Sequence, residues 1–177
     1  MTRHHGEARF AARIAADPDR IWSVIRRFGD VAAWSPIAVT SHIVAGTDAT
    51  SGAERELRTA NGTAVREKLT LLDDGLRCLE YAMLSFPIPV TEQYNRIVVE
   101  DAELGWSPVT FVARFVPAEG ATVEEIAAIN RGVFAEAAVS LGRLLDAMVH
   151  LPPDAFPPVR EASDAAAIGE CPSPQGS

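Results

Sequence analysis

Residues 7–14 alternate between apolar and polar positions, with Phe10 and Ile14 as the large apolar ones, and a period of two predicts a strand. Asp17-Pro18 follows as an N-cap and a first-turn proline. Ile21, Trp22, Ile25 and Phe28 recur at helical spacing, so a helix is expected over 18–28, ended by Gly29. A second short helix over 30–34 stops at Ser35-Pro36. Strand patterns then succeed one another at 38–44, 53–59, 63–72, 76–83, 91–99 and 107–116. Asn61-Gly62 reads as a tight two-residue hairpin turn, and Asp74-Gly75 as a second hairpin turn. Phe86-Pro87-Ile88-Pro89 carries too much proline for a central strand and is read as a loop. Thr122-Val123-Glu124-Glu125 is a capping box, T-x-x-E, and opens the longest helix, to about Met148. Ile126, Ile129, Val133, Ala137, Leu141, Leu144 and Met148 fall on one stripe of it. The antiparallel sheet is the only surface in the chain large enough to cover that stripe.

Two charged residues interrupt the apolar face of this sheet. Val65, Leu69 and Leu71 are the apolar set of one strand, and Glu67 shares their side. In the strand before it, Leu57 is the large apolar residue, which puts Arg55 and Thr59 on the inner face. A hairpin at Asn61-Gly62 brings the inward Arg close to the inward Glu. Buried charges are costly unless paired or solvated in a cavity, so a wet polar spot inside an apolar chamber is expected. Two readings stand side by side. Either Arg55 holds a ligand carbonyl or carboxylate while Glu67 accepts a proton or orients a water, or the two form a structural ion pair near the mouth of the barrel.

Other polar groups share the inward faces. Tyr81 falls with Leu79 and Met83, and its hydroxyl serves either a ligand or one ordinary structural partner. Asn95 shares a face with Ile97 and Val99, and Asn130 sits beside the long helix's stripe. Trp34-Ser35 and the loop containing Phe86 are two proline-stiffened segments placed to gate a pocket or to cap the core. Phe111, Phe115 and Phe134 read as cavity wall or core. A void of about 300–1,000 Å³ is expected behind small residues such as Ala113, Val133 and Ala137.

The chain has 177 residues, 47% of them hydrophobic, enough for one domain with a sizeable core. The expected division is a leader at 1–6, a cavity domain at 7–150 and a tail at 151–177. Half of the twelve prolines fall in that tail, which reads as largely extended or disordered. A formal net charge of −8 argues against nucleic-acid binding. No stretch approaches the roughly 20 apolar residues of a membrane span. The polar N-terminus shows no apolar signal segment, so a cytoplasmic protein is expected, with Cys78 and Cys171 as reduced thiols. His4, His5, His42 and His150 have no metal-ligand spacing, so no metal is expected. Phosphate-loop, dinucleotide and nucleophile-elbow motifs are missing, so no cofactor is expected.

The element order resembles the helix-grip fold of the START/Bet v 1-like (SRPBCC) superfamily, and the residues resemble its bacterial polyketide cyclase/dehydrase-like branch. The resemblance rests on Asp17-Pro18, Phe28-Gly29-Asp30, Trp34-Ser35-Pro36, Gly52-Ala53-Glu54-Arg55, Asn61-Gly62, Val65-Arg66-Glu67-Lys68-Leu69, Asp73-Asp74, Glu80-Tyr81, Pro87-Ile88-Pro89, Tyr94 and Val109-Thr110-Phe111. It covers about residues 8–148. It implies an α+β fold in which a curved antiparallel sheet of about seven strands wraps a long C-terminal helix, with two short helices after the first strand. In that branch the position of Ser35 is commonly His, so one acid/base group is missing here. Two functions follow. One is cofactor-free cyclisation, dehydration or isomerisation of a hydrophobic or aromatic molecule, with Glu67, Arg55 and Tyr81 moving protons and polarising carbonyls. Trp34, Ser35, Thr59, Phe86, Asn95, Phe111, Asn130 and Phe134 would then contact the ligand. The other is non-catalytic binding or transport of a lipid, sterol or aromatic metabolite. A hydrophobic small molecule is the expected partner in both, and a homodimer is compatible with the sequence.

Overall fold

The computed structural model describes residues 5–155. The elements in chain order are β1 (Gly6–Ile14), α1 (Pro18–Ile25), a 3-10 helix (Phe28–Ala33), β2 (Thr40–Ala45), β3 (Glu54–Arg58), β4 (Ala64–Asp73), β5 (Cys78–Met83), β6 (Val90–Val99), β7 (Ser107–Pro117), α2 (Val123–Leu144) and β8 (Val149–His150). The strands form one antiparallel sheet in the order β2-β3-β4-β5-β6-β7-β1-β8. The eighth strand is a two-residue piece beside β1, too short to carry a sequence pattern. This is the expected α+β helix-grip architecture.

The long helix is capped as its sequence dictates. Thr122 Oγ1 accepts from the Glu125 N–H, and Glu125 Oε2 accepts from the Thr122 N–H. The helix packs mainly on β1 and β7. Its buried face runs through Ile126, Ala127, Asn130, Phe134, Ala135, Ala137, Ala138, Leu141 and Gly142. That face is rotated in part from the expected stripe: Ile126, Ala137 and Leu141 are buried as expected, while Ile129, Leu144 and Met148 are exposed. Small residues decide the rotation. Ala135, Ala138 and Gly142 let the helix approach an inner sheet face that is itself small at Ala8, Ala12 and Ala113.

The helix ends at Leu144, not Met148, because the chain turns back at once to lay Val149 on β1. A Cβ on Gly142 would clash with Val149 Cγ2 and meet the Ala147 carbonyl oxygen at 3.0 Å. Alanine ordinarily gains up to about 1 kcal/mol over glycine inside a helix. Here the clash with a stiff β-branched side chain and backbone outweighs it. Gly142→Ala is expected to be destabilised by a net ~1–2 kcal/mol, read as a lower denaturant midpoint at unchanged slope. A rise in the midpoint would refute the close approach.

Three elements depart from the boundaries that the sequence pattern predicts. The first helix ends at Ile25 and not at Phe28, which instead opens the separate 3-10 helix. The Asp74-Gly75 turn is longer: the last β4–β5 pair is Asp73 with Cys78, so residues 74–77 make the connection, with Arg77 at φ 45°. Asp74 does more than turn the chain, accepting from Trp22 Nε1 (2.8 Å) and Arg26 Nε (2.8 Å) and so tying α1 to the sheet.

The Asn61-Gly62 hairpin is one residue longer than a two-residue turn. Thr59 N–H donates to the Thr63 carbonyl (3.0 Å) and Gly62 N–H to the Thr59 carbonyl (2.9 Å). The loop is therefore Ala60-Asn61-Gly62, with Gly62 at φ 85°. This is a three-residue hairpin ending in a left-handed glycine. The extra residue sets the register: Arg55 stands opposite Glu67 and Leu57 opposite Val65. A two-residue turn would have set Arg55 opposite Lys68 and sent Glu67 to the outer face.

The strand that was expected to start at residue 7 takes in Gly6, so the leader is shorter than 1–6, and residues 1–4 lie outside the described residues. Of the expected tail, 151–155 are described, with Ala155 buried, and the rest lies outside the described residues.

Candidate functional site

Arg55 and Glu67 are both buried, at 4% and 5% exposure. Arg55 Nε donates to Glu67 Oε2 at 2.6 Å, and Arg55 Nη1 donates to the Phe28 carbonyl at 2.6 Å. The early end of α1 makes the second bond available, because the 3-10 helix starting at Phe28 turns that carbonyl inward. The guanidinium carbon lies 4.0 Å from the centre of the Phe28 ring and 5.0 Å from that of Tyr81. The two rings are themselves 5.9 Å apart. The cation is thus held by a carboxylate, a carbonyl and two aromatic rings, each of which offsets part of its desolvation.

Tyr81 is half-buried beside this pair. Burial above all, and then the Glu67 charge, push its phenol well above the usual range, with Arg55 opposing. The hydroxyl therefore stays protonated at neutral pH and acts as a neutral donor. An unfolded phenol ionises near pH 10. Stability from this site is complete below that pH and is lost as the pH rises from there towards the folded value. Wild type is expected to lose stability steeply above pH 10, and Tyr81→Phe to lose less. Identical alkaline slopes in pH-dependent denaturation would contradict the burial of this phenol against Glu67.

A second polar cluster lies on the same inner surface. Gln93 Nε2 donates to Asn95 Oδ1 (3.1 Å) and Asn130 Oδ1 (2.8 Å). Asn130 Nδ2 donates to the Ile126 carbonyl (3.0 Å) and to Gln93 Oε1 (3.4 Å). All three amides are buried. Gln93 was not singled out in the sequence, although its period-two relation to Asn95 and Ile97 places it on the inner face.

These groups line one cavity of about 80 Å³. Of the expected site residues, Arg55, Glu67, Tyr81, Trp34, Ser35, Asn95, Phe111, Asn130 and Phe134 line it. Thr59 and Phe86 do not. Thr59 lies beyond the end of β3, where its hydroxyl donates to Asn61 Oδ1 within the hairpin (2.5 Å). Phe86 is 38% exposed, and its neighbours Pro87 and Ile88 line the cavity instead. The volume falls short of the expected 300–1,000 Å³ because aromatic rings occupy the space. Phe111 and Phe134 stack at 5.3 Å, and the cluster of Phe28, Arg55 and Tyr81 fills another part. Trp34 is buried with its indole N–H unpartnered among the described residues.

Among the described residues no group of three or more His, Cys, Asp or Glu is placed to hold a metal. Cys78 is buried and free, and burial pushes its thiol pKa up, away from the reactive thiolate. No described helix is long and apolar enough to cross a membrane.

A curved antiparallel sheet gripping one long helix around a lined cavity defines a helix-grip protein. The chain matches the family described as "Polyketide cyclase / dehydrase and lipid transport" over residues 6–146, and it belongs to that family. Solved structures share the fold. The protein XoxI from Bacillus cereus is 24% identical, over 80% of this chain and 96% of that one, with a TM-score of 0.71. A protein from Thermobifida fusca is 27% identical, over 78% of this chain and 94% of that one, with a TM-score of 0.64. None of the curated proteins matches this chain.

Proposed function

We propose that the cavity binds a compact, largely apolar molecule bearing a carbonyl, and that the chain catalyses a cofactor-free dehydration, cyclisation or isomerisation of it. The observation that carries this reading is the Arg55–Glu67 pair, buried at 2.6 Å in the wall of an otherwise apolar cavity with Tyr81 beside it. Arg55 and the neutral Tyr81 hydroxyl donate to the carbonyl oxygen and stabilise the charge that develops on it. Glu67 takes a proton from the carbon next to that carbonyl. In an isomerisation the proton returns to another carbon. In a dehydration it goes to a departing hydroxyl, which leaves as water. The family description supports this class of chemistry. The cavity volume narrows it, since 80 Å³ admits a small molecule and an extended chain enters only if Trp34-Ser35 and Pro87-Ile88 part. The buried, unpartnered Trp34 N–H is a donor that such an opening would offer to a ligand; left unpaired, it costs about 1–3 kcal/mol.

The test is native mass spectrometry of the protein purified from its source cells, followed by incubation of the released molecule with fresh protein. Loss of one water, or conversion to an isomer, supports the reading. Recovery of the molecule unchanged reduces the chain to a binder.

A further inference from the structure

The strand register sets the inward polar groups in one line. Arg55 on β3 stands opposite Glu67 on β4, and Glu67 opposite Met83 on β5. Two residues along β5 on the same face is Tyr81, which stands opposite Asn95 on β6. The line continues through Gln93 to Asn130 on α2. Four consecutive strands thus contribute Arg55, Glu67, Tyr81 and Asn95 to one polar seam. The rest of the cavity lining is largely apolar, with Leu57 and Ile97 flanking the seam on the same sheet face and Phe111 and Phe134 beside them.

The far end of the seam has an unspent donor. Gln93 uses its amide N–H groups on Asn95 and Asn130, and Asn130 uses its own on Ile126 and Gln93. Asn95 enters the cluster only through Oδ1, with Gln93 holding that oxygen and so aiming the rest of the amide. We infer that Asn95, oriented by Gln93 and Asn130, is a second binding pole that selects ligands carrying a hydroxyl in addition to the carbonyl or carboxylate held at Arg55 and Tyr81. Directly opposed residues on neighbouring strands lie about 5 Å apart. Tyr81 and Asn95 are directly opposed on β5 and β6, so one compact ligand can reach both, which describes a short hydroxy acid or hydroxy ketone. This rests on the carbonyl-binding reading above and names the substrate class for it.

Two probes that differ only in the second oxygen decide the matter: 4-hydroxybutanoate and butanoate, titrated by amide chemical-shift changes in NMR. Wild type is expected to bind the hydroxy acid about fivefold or more tighter than butanoate, the effect of one added hydrogen bond. Asn95→Val should bring the two affinities within about twofold of each other and leave butanoate binding in place. Gln93→Met removes the group that aims Asn95 and should also narrow the preference. It carries the comparison if Asn95→Val does not fold. Equal affinities in wild type, or a preference that survives in the variants, would overturn the second pole while leaving the carbonyl site standing. Failure of both probes to bind wild type would overturn the carbonyl site and the second pole together.

Discussion

Glu67→Gln is expected to bind ligand nearly as wild type does and to lose turnover by ~10²–10⁴-fold. The amide matches the carboxylate in shape, and its oxygen still accepts from Arg55 Nε, so the packing of Arg55 against Phe28 and Tyr81 survives. What disappears is the group that takes a proton. A fall in kcat with KM unchanged places Glu67 in the chemical step. Turnover equal to wild type would remove it from the mechanism and leave the pair a structural one. Tyr81→Phe separates the two donors. With Arg55 still in place, it should lower kcat by less than Glu67→Gln does, since one of two carbonyl donors remains.

Arg55→Ala is expected to cost ~3–5 kcal/mol, the penalty for leaving Glu67 as an uncompensated buried charge. Three further contacts go with it: the bond to the Phe28 carbonyl and the two ring faces. For a domain of this size the loss lowers Tm by roughly 2–4 °C for each kcal/mol. The double variant Arg55→Ala with Glu67→Gln should recover part of it, because the stranded charge is gone and only the cavity and the orphaned carbonyl remain. Thermal melts of wild type, the single and the double variant close the comparison. A double variant no more stable than the single one would show that Glu67 is solvated and not stranded by the loss of Arg55. These residues do not add to net stability cheaply, since an apolar pair of similar volume would suit the core as well.

Much of the fold was readable because its signals are local. The capping box at Thr122, the Asp17-Pro18 start and the alternation along β1, β6 and the first half of β4 each act within a few residues, whereas a register shift after Leu69 turns Leu71 outward from the inner face its spacing predicts. The inward placement of Arg55, Glu67, Tyr81 and Asn95 followed from the same period of two. Where Phe28 belongs was not local. It continues the apolar spacing of α1, yet its carbonyl and ring are claimed by Arg55, 27 positions along the chain. Gln93 was passed over for a similar reason, since its role depends on Asn130 of a helix whose rotation is set by small residues across the interface.

The sequence by itself determined the element order, the family and the side of the sheet on which the charged pair lies, because helix caps and strand alternation are short-range. Tertiary structure alone decided three things. The three-residue loop at Ala60-Asn61-Gly62 chose the register that sets Arg55 against Glu67, and turn length is not fixed by the Asn-Gly pair. The stacking of Phe111 on Phe134 reduced the chamber to about 80 Å³, an outcome of how distant elements meet. The union of four strands and one helix into a single polar seam depends on alignments between segments up to 75 residues apart, which no pattern along the chain records.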